Sequence, residues 1–198
     1  MGFGFRPLAT IERATCILVG AAALSACSSA PPPSYDLSAF PPPAERVGAI
    51  RGALLIAEPD ASDTLDSDRI VIRTAPDQLS YLAKAQWSDR LPRLVQTRLT
   101  RTFEQAKLAR SVVSSGMVYD YQLTTEIRRF EVDVTTHEAR VEIAARIVSG
   151  RNGRVHAVRT FSGQAPAPRT ADGVAAQALD AALQDVLGRI LRWTATTI

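Results

Sequence analysis

Leu24-Ser25-Ala26-Cys27 places the most nucleophilic side chain of the sequence at the end of a short apolar run. An apolar residue, two small residues and a cysteine form a lipobox. The small residues let the backbone enter a peptidase cleft, and the thiol suits attachment of a diacylglyceryl group through a thioether. Upstream, Arg6 and Arg13 supply positive charge, and the stretch from Cys16 to Leu24 is apolar. That stretch is about half the ~20 residues a spanning helix needs, so it predicts the core of an export signal rather than a membrane span. Residues 1–26 are then a cleaved signal peptide, and Cys16 leaves with them. Cys27 would carry the covalent acyl or diacylglyceryl lipid (palmitate-type chains). Each buried methylene contributes about 0.8 kcal/mol, and two or more chains anchor stably. The expectation is a protein lipid-anchored to a membrane facing the periplasm. Ser28, where aspartate is the retention signal in the best-known sorting system, points to the outer membrane.

The remaining chemistry-bearing residues are dispersed. His137 and His156 have no cysteine left to join them and no helical His-x-x-x-His spacing. A zinc site needs three or four convergent ligands, so no metal is expected. Ser162-Gly163 lacks the Gly-x-Ser-x-Gly frame of a nucleophile elbow, and no Gly-Lys-Ser/Thr follows Arg151-Asn152-Gly153 as a phosphate loop requires. The acidic pairs Asp66/Asp68 and Glu131/Asp133 are expected to be solvated surface carboxylates rather than a glycosidase-type pair. No catalytic residue and no cofactor other than the Cys27 lipid follow from these patterns. Setting aside Arg6, Arg13 and Glu12 lowers the net charge from +3 to +2. The charges are interspersed, without the clustered basic footprint of a nucleic-acid binder.

What positions these residues is a stalk and one domain. Residues 27–46 hold the acylated cysteine and a linker with two Pro-Pro-Pro runs, an extended geometry reaching at most roughly 50–60 Å. Tyr35, Leu37 and Phe40 interrupt its polar composition and either dock as a first edge strand or float with the tether. Residues 47–198, about 150, are the length of a single domain. Val47 to Ile56 is apolar and predicts a strand, and Pro59 to Ser67 predicts a turn region. Arg69 to Arg73 and Leu79 to Leu82 predict a hairpin. Ser88-Asp89 offers an N-cap, and Leu91, Leu94, Val95, Leu99 and Phe103 follow at helical spacing. Arg90, Arg93, Arg98 and Arg101 are expected on the solvated face of that helix. Val112-Val113 predicts a short strand. Tyr119, Tyr121, Leu123 and Ile127 share one parity, whereas Phe130, Val132 and Val134 share the other, which demands a bulge near Arg128-Arg129. Val141, Ile143, Ala145 and Ile147 form the next strand. Arg151-Asn152-Gly153-Arg154 is a hairpin turn, with the partner strand running from Val155 to Phe161. A last helix is expected over residues 172–192, with Ala175, Ala178, Leu179, Ala182, Leu183, Val186, Leu187 and Ile190 in its apolar stripe. The order implies an α+β fold, a mostly antiparallel sheet with two main helices packed on it.

The segment from Leu79 to Glu104, with the Arg69-Ile70-Val71-Ile72-Arg73 strand before it, resembles the ABC-type transport auxiliary lipoprotein family, of which paraquat-inducible protein C is a member. The matching features are that strand, the Tyr81 to Trp87 spacing and the helix opening after Trp87. Tyr35-Asp36-Leu37 resembles the family's aromatic-x-Leu entry after the lipidated cysteine. The resemblance implies a non-enzymatic accessory to an ABC permease, its ATPase and a membrane-anchored MCE-domain protein, moving phospholipid or other lipid between inner and outer membranes. A ring- or tube-forming MCE partner leaves room for a homo-oligomer. Tyr81 and Trp87 are either partner-interface anchors or core residues at the strand–helix junction. A stand-alone lipid- or glycolipid-binding outer-membrane assembly lipoprotein would instead need an apolar pocket.

Overall fold

The computed structural model describes residues 1–2, 31–37, 47–108, 112–113, 115–170 and 173–198. The lipobox at 24–27, Phe40 and the second proline run fall outside these residues. Pro32–Ile198 forms one unit.

Within it the longest strand organises the rest. Strand order along the chain is β1 (Ser34–Tyr35), β2 (Leu54–Ile56), β3 (Asp60–Ala61), β4 (Arg69–Ala75), β5 (Gln78–Trp87), β6 (Val112–Val113), β7 (Tyr121–Asp133), β8 (Glu138–Ser149) and β9 (Val155–Pro166). Helix α1 (Leu91–Phe103) follows β5, and helix α2 (Val174–Thr197) follows β9. One edge of β7 pairs throughout with β8, antiparallel. Its other edge pairs in parallel with β2, then β3, then β4. β9 extends the sheet beyond β8, and β5 extends it beyond β4, both antiparallel. The α+β expectation holds. The long ladders are antiparallel, and the short strands make the sheet mixed.

Local sequence explains most of these elements. The parity switch in β7 is resolved as expected, by a register shift between Ile127 and Arg129. Leu123 and Ile127 before the bulge, and Phe130 and Val132 after it, therefore all reach the same buried face. The Asn152-Gly153 turn closes β8 onto β9 with Gly153 at φ +68°, a region open to glycine at little cost. Every residue of the expected α2 stripe is buried. This helix runs on to Thr197, five residues past the expected end.

Other expectations are corrected. Only Leu54–Ile56 of the apolar 47–56 run is strand, and Asp60–Ala61 adds a strand inside the supposed turn region. β5 is ten residues long rather than four. The N-cap of α1 is Arg90 and not Ser88 or Asp89. Asp89 instead accepts the Arg90 N–H through Oδ1 at 2.7 Å. The Ser67 carbonyl accepts the Leu91 N–H at 3.0 Å, and Pro92 has no N–H to satisfy. Tyr35 and Leu37 do dock. β1 pairs in parallel with the end of β5 at Gln86 and Trp87, and Leu37 is buried.

Both helices cover one face of the sheet. α2 lies over β8 and β9, touches β7 and meets α1, which also contacts β2. Between the layers, Trp87 meets Phe130 edge-on with centroids 5.8 Å apart, and Phe161 meets Trp193 at 5.6 Å. Burying one such aromatic contributes roughly 2–3 kcal/mol. α2 approaches β9 closely at Gly163, where an added Cβ would lie 2.8 Å from Val186 Cγ2 and collide with the Ala182 carbonyl oxygen. The Arg189 guanidinium on α2 also donates to the Ser162 carbonyl of β9.

Candidate functional site

The face of the sheet turned away from the helices carries the densest polar chemistry. After the β7 bulge, Glu131 and Asp133 fall on the opposite parity to Phe130 and Val132. They pair across with Arg140 and Glu138 of β8 and with Val71 and Arg73 of β4. These two carboxylates are not solvated, contrary to expectation: Glu131 is 3% and Asp133 5% exposed. Central position in the sheet and overlying arginine side chains close them off. Arg73 grips Glu131 through both oxygens, Nε to Oε1 at 2.7 Å and Nη2 to Oε2 at 3.0 Å. Arg129 adds a longer contact at 3.9 Å. Asp133 Oδ1 accepts the Thr135 hydroxyl at 2.6 Å and the Thr135 and Thr136 N–H groups at 2.9 and 3.2 Å. Arg140 lies 3.6 Å from its other oxygen.

This geometry sets the electrostatics. The Thr135 hydroxyl and the backbone N–H groups, opposed by burial, hold the Asp133 carboxyl below the ordinary aspartate value. Hydrogen bonding to Glu131 raises the Arg73 guanidinium above its ordinary value against the opposing effect of burial. Fixed donors engage both carboxylates, an arrangement that rigidifies a sheet face. A pair primed for proton transfer instead has environments that push one pKa upward. Asp66 is likewise engaged, by Arg90. Among the described residues no cluster of His, Cys, Asp and Glu could hold a metal.

Beside this lattice lies Tyr81. It stands opposite Val71 on β4, is half-buried, and takes the Arg69 guanidinium over its ring at 4.1 Å from the centroid, a cation–π contact. Leu79, two residues earlier, is exposed. Trp87 points the other way and is 1% exposed against Phe130, a core residue. The two aromatics singled out by their spacing are therefore not one surface: Tyr81 is reachable from solvent and Trp87 is not. His137 sits in the β7–β8 turn at φ +56°, and His156 lies near the Tyr121 ring at 5.9 Å. The lipobox residues Leu24, Ser25, Ala26 and Cys27 lie outside the described residues.

Two sheet edges accompany the face. β1 covers β5 only at Gln86 and Trp87, so Gln78 to Ala85 has no strand on its outer side among the described residues. Among the described residues β9 pairs with β8 alone along its twelve residues. Unpaired edges are ready templates for another strand.

One functional surprise is internal. Arg98, expected on the solvated face of α1, is 2% exposed. Its guanidinium lies 3.5 Å from Asp180 on α2, and burial pushes its pKa below the ordinary value, opposed by that carboxylate. None of its three guanidinium nitrogens makes a hydrogen bond. The sequence held a signal for this placement: Arg98 follows Leu91 and Val95 at the spacing of the apolar stripe.

A family model described as the ABC-type transport auxiliary lipoprotein component matches residues 35–190. The chain is 31% identical over 169 residues to the protein bll6063 of Bradyrhizobium diazoefficiens, covering 83% of this chain and 45% of that relative. This chain thus spans less than half of that relative's length. Among solved structures, protein XCC0632 from Xanthomonas campestris superposes with a TM-score of 0.74 at 28% identity, over 82% of this chain and 95% of that one. The hypothetical protein CT253 from Chlamydia trachomatis shares the fold alone, with a TM-score of 0.51 at 7% identity over 75% of this chain and 98% of that one.

Proposed function

This chain belongs to the ABC-type transport auxiliary lipoprotein family, and from that premise we propose that it is the docking lipoprotein of an ABC/MCE lipid-transport system. On this reading Cys27 carries the lipid anchor, and the domain faces the periplasm, most directly from the outer membrane. An MCE-domain protein and an ABC permease with its ATPase are its partners, and phospholipid or a related lipid is the cargo. The single observation that carries the reading is the family match across residues 35–190.

The physical features support a docking role. The polar residues of the open sheet face are spent on one another, which suits a rigid platform better than a reaction centre. A transport-auxiliary family suggests a non-enzymatic role, with nucleotide hydrolysis left to a partner. The free edge of β5, with Tyr81 and Leu79 beside it, and the free edge of β9 can each accept an added strand. Among the described residues no helix is long and apolar enough to cross a membrane, which is consistent with attachment through Cys27.

The test is affinity purification of the tagged full-length chain from native membranes after mild crosslinking. The expected result is recovery of an MCE-domain protein with permease and ATPase subunits, and weakened recovery when Tyr81 is changed to glutamate. Absence of all three partners, together with an unchanged outer-membrane barrier on deletion, would refute the proposal.

A further inference from the structure

At the end of the sheet where β7 begins, three chain reversals meet: residues 51–53, 115–120 and 149–154. They enclose a groove of about 590 Å³ lined by Arg51, Asp120, Arg151, Arg154, Val155 and His156 among others. The reversals are tied together by hydrogen bonds. Asp120 N–H donates to the Ala53 carbonyl at 2.9 Å, and Gly150 N–H donates to the Asp120 carbonyl at 2.8 Å. Three arginines face one carboxylate here. Asp120 Oδ2 accepts the Ala53 N–H at 3.0 Å, and Oδ1 lies 3.5 Å from Arg151. That backbone bond holds the Asp120 carboxyl below its ordinary value, so it stays an anion serving Arg151. Among the described residues the guanidinium groups of Arg51 and Arg154 have no hydrogen-bond or ion-pair partner. The charged rows at the opposite end differ, because Arg73 and Arg140 are both paired there.

Exposed apolar side chains accompany this uncompensated charge, one on the groove wall and two in the reversal that leads into Asp120. Val118 is 94% exposed, and Met117 beside it 57%. Both belong to the 115–120 reversal that ends in Asp120. Val155, on the groove wall, is 55% exposed. A protein interface is expected to bring exposed aromatic anchors, whereas here Tyr119 and Tyr121 are half-buried, His156 lies near the Tyr121 ring, and the protruding groups are aliphatic. Exposed aliphatic side chains at the same end of the sheet as unpaired arginines match a surface that is anionic outside and hydrocarbon beneath.

We propose that this end of the domain is a contact surface for an anionic phospholipid bilayer, with Arg51 and Arg154 on headgroup phosphates and Met117 and Val118 at the acyl boundary. The proposal stands apart from the transporter reading, since failure here leaves partner recovery untouched.

The experiment uses the mature chain from residue 27 with Cys27 changed to serine, which leaves out the apolar signal segment and the lipid anchor, and with Val118→Cys carrying an environment-sensitive fluorophore. Vesicles of phosphatidylcholine, with or without phosphatidylglycerol, carry nitroxide quenchers on their acyl chains. Quenching is expected with phosphatidylglycerol vesicles only, and raised salt should reverse it. The Arg51→Gln, Arg154→Gln pair should weaken it roughly twenty-five-fold, about fivefold for each arginine. Arg51, Val118 and Arg154 are exposed, and an unchanged thermal unfolding curve confirms the fold of each variant. No quenching with phosphatidylglycerol, equal quenching on neutral vesicles, or equal quenching in the double variant would overturn the proposal. Displacement by millimolar inorganic phosphate would do so too, marking a pocket for a free anion. A label that stays solvent-accessible on vesicles but is shielded by an acidic protein would reassign the surface to a protein partner.

Discussion

Glu131 shows how far a residue's role depends on register. Its partner Arg73 lies 58 positions earlier in the chain, and the two meet only because β4 runs parallel to the far end of β7. Nothing in the local pattern Phe130-Glu131-Val132-Asp133 separates a buried carboxylate from a solvated one, because alternation looks the same in both cases. Removing one member of a buried pair leaves the other charged and unpartnered, which costs about 3 kcal/mol. Arg73→Ala is therefore expected to lower the denaturant midpoint sharply, whereas Arg69→Ala, which loses only an exposed cation–π contact, should cost under about 1 kcal/mol. Asp133 adds a pH dependence of fixed sign. Its folded value lies below the ordinary 3.8, so the unfolded chain takes up the proton first. The stabilisation is complete well above that ordinary value and is lost as pH falls through the folded one. Equilibrium unfolding measured across the acid range should show a shallower loss in Asp133→Asn, and an unchanged slope would contradict this assignment.

At the scale of elements, the parts written in periodicity were legible and the parts written in long-range pairing were not. The α2 stripe and the β7 bulge follow from apolar spacing alone. β1 and β3, two residues each, are too short to carry a period and exist because β5 and β7 offer them an edge. α1 was legible as a helix, and its buried arginine was the exception. A charged side chain was assigned outward although its position in the stripe pointed inward. Arg98→Met keeps most of the volume and removes a cation without hydrogen bonds, so stability should stay within about 1 kcal/mol of the parent or rise. Arg98→Ala opens a void between α1 and α2 and should cost about 2 kcal/mol more. Equal losses in the two variants would mean that the ion contact with Asp180, and not packing, holds the helices together. Gly163→Ala should force α2 away from β9 and destabilise by about 1–3 kcal/mol. Ser162→Ala, one residue away and with its carbonyl still available to Arg189, should be nearly silent in thermal unfolding.

For the whole molecule, sequence and structure divide the work. Cys27 and its flanks are recognisable from chemistry and spacing, yet they say nothing about the domain. The domain in turn presents a packed core, a charge-locked face, two free edges and an arginine-lined end. Of these, the core stripe and Tyr81 beside the β5 edge are legible in the sequence, and Glu131 and Asp133 are legible as a pair but not as buried. The arginine-lined end escaped notice because residues 51, 151 and 154 converge only through three separate reversals. On the proposed reading, attachment through Cys27 makes such a platform an accessory lipoprotein, and the transporter role depends on that attachment. The most direct measurement is mass spectrometry of the N-terminal peptide of the protein extracted from its native membrane. The expected product is a chain beginning at Cys27, heavier by a diacylglyceryl group and its acyl chains, and a Cys27→Ala variant that raised salt releases from the membrane fraction. An N-terminal peptide with an unmodified Cys27, or a variant still held in the membrane at raised salt without its partners, would contradict lipid anchoring.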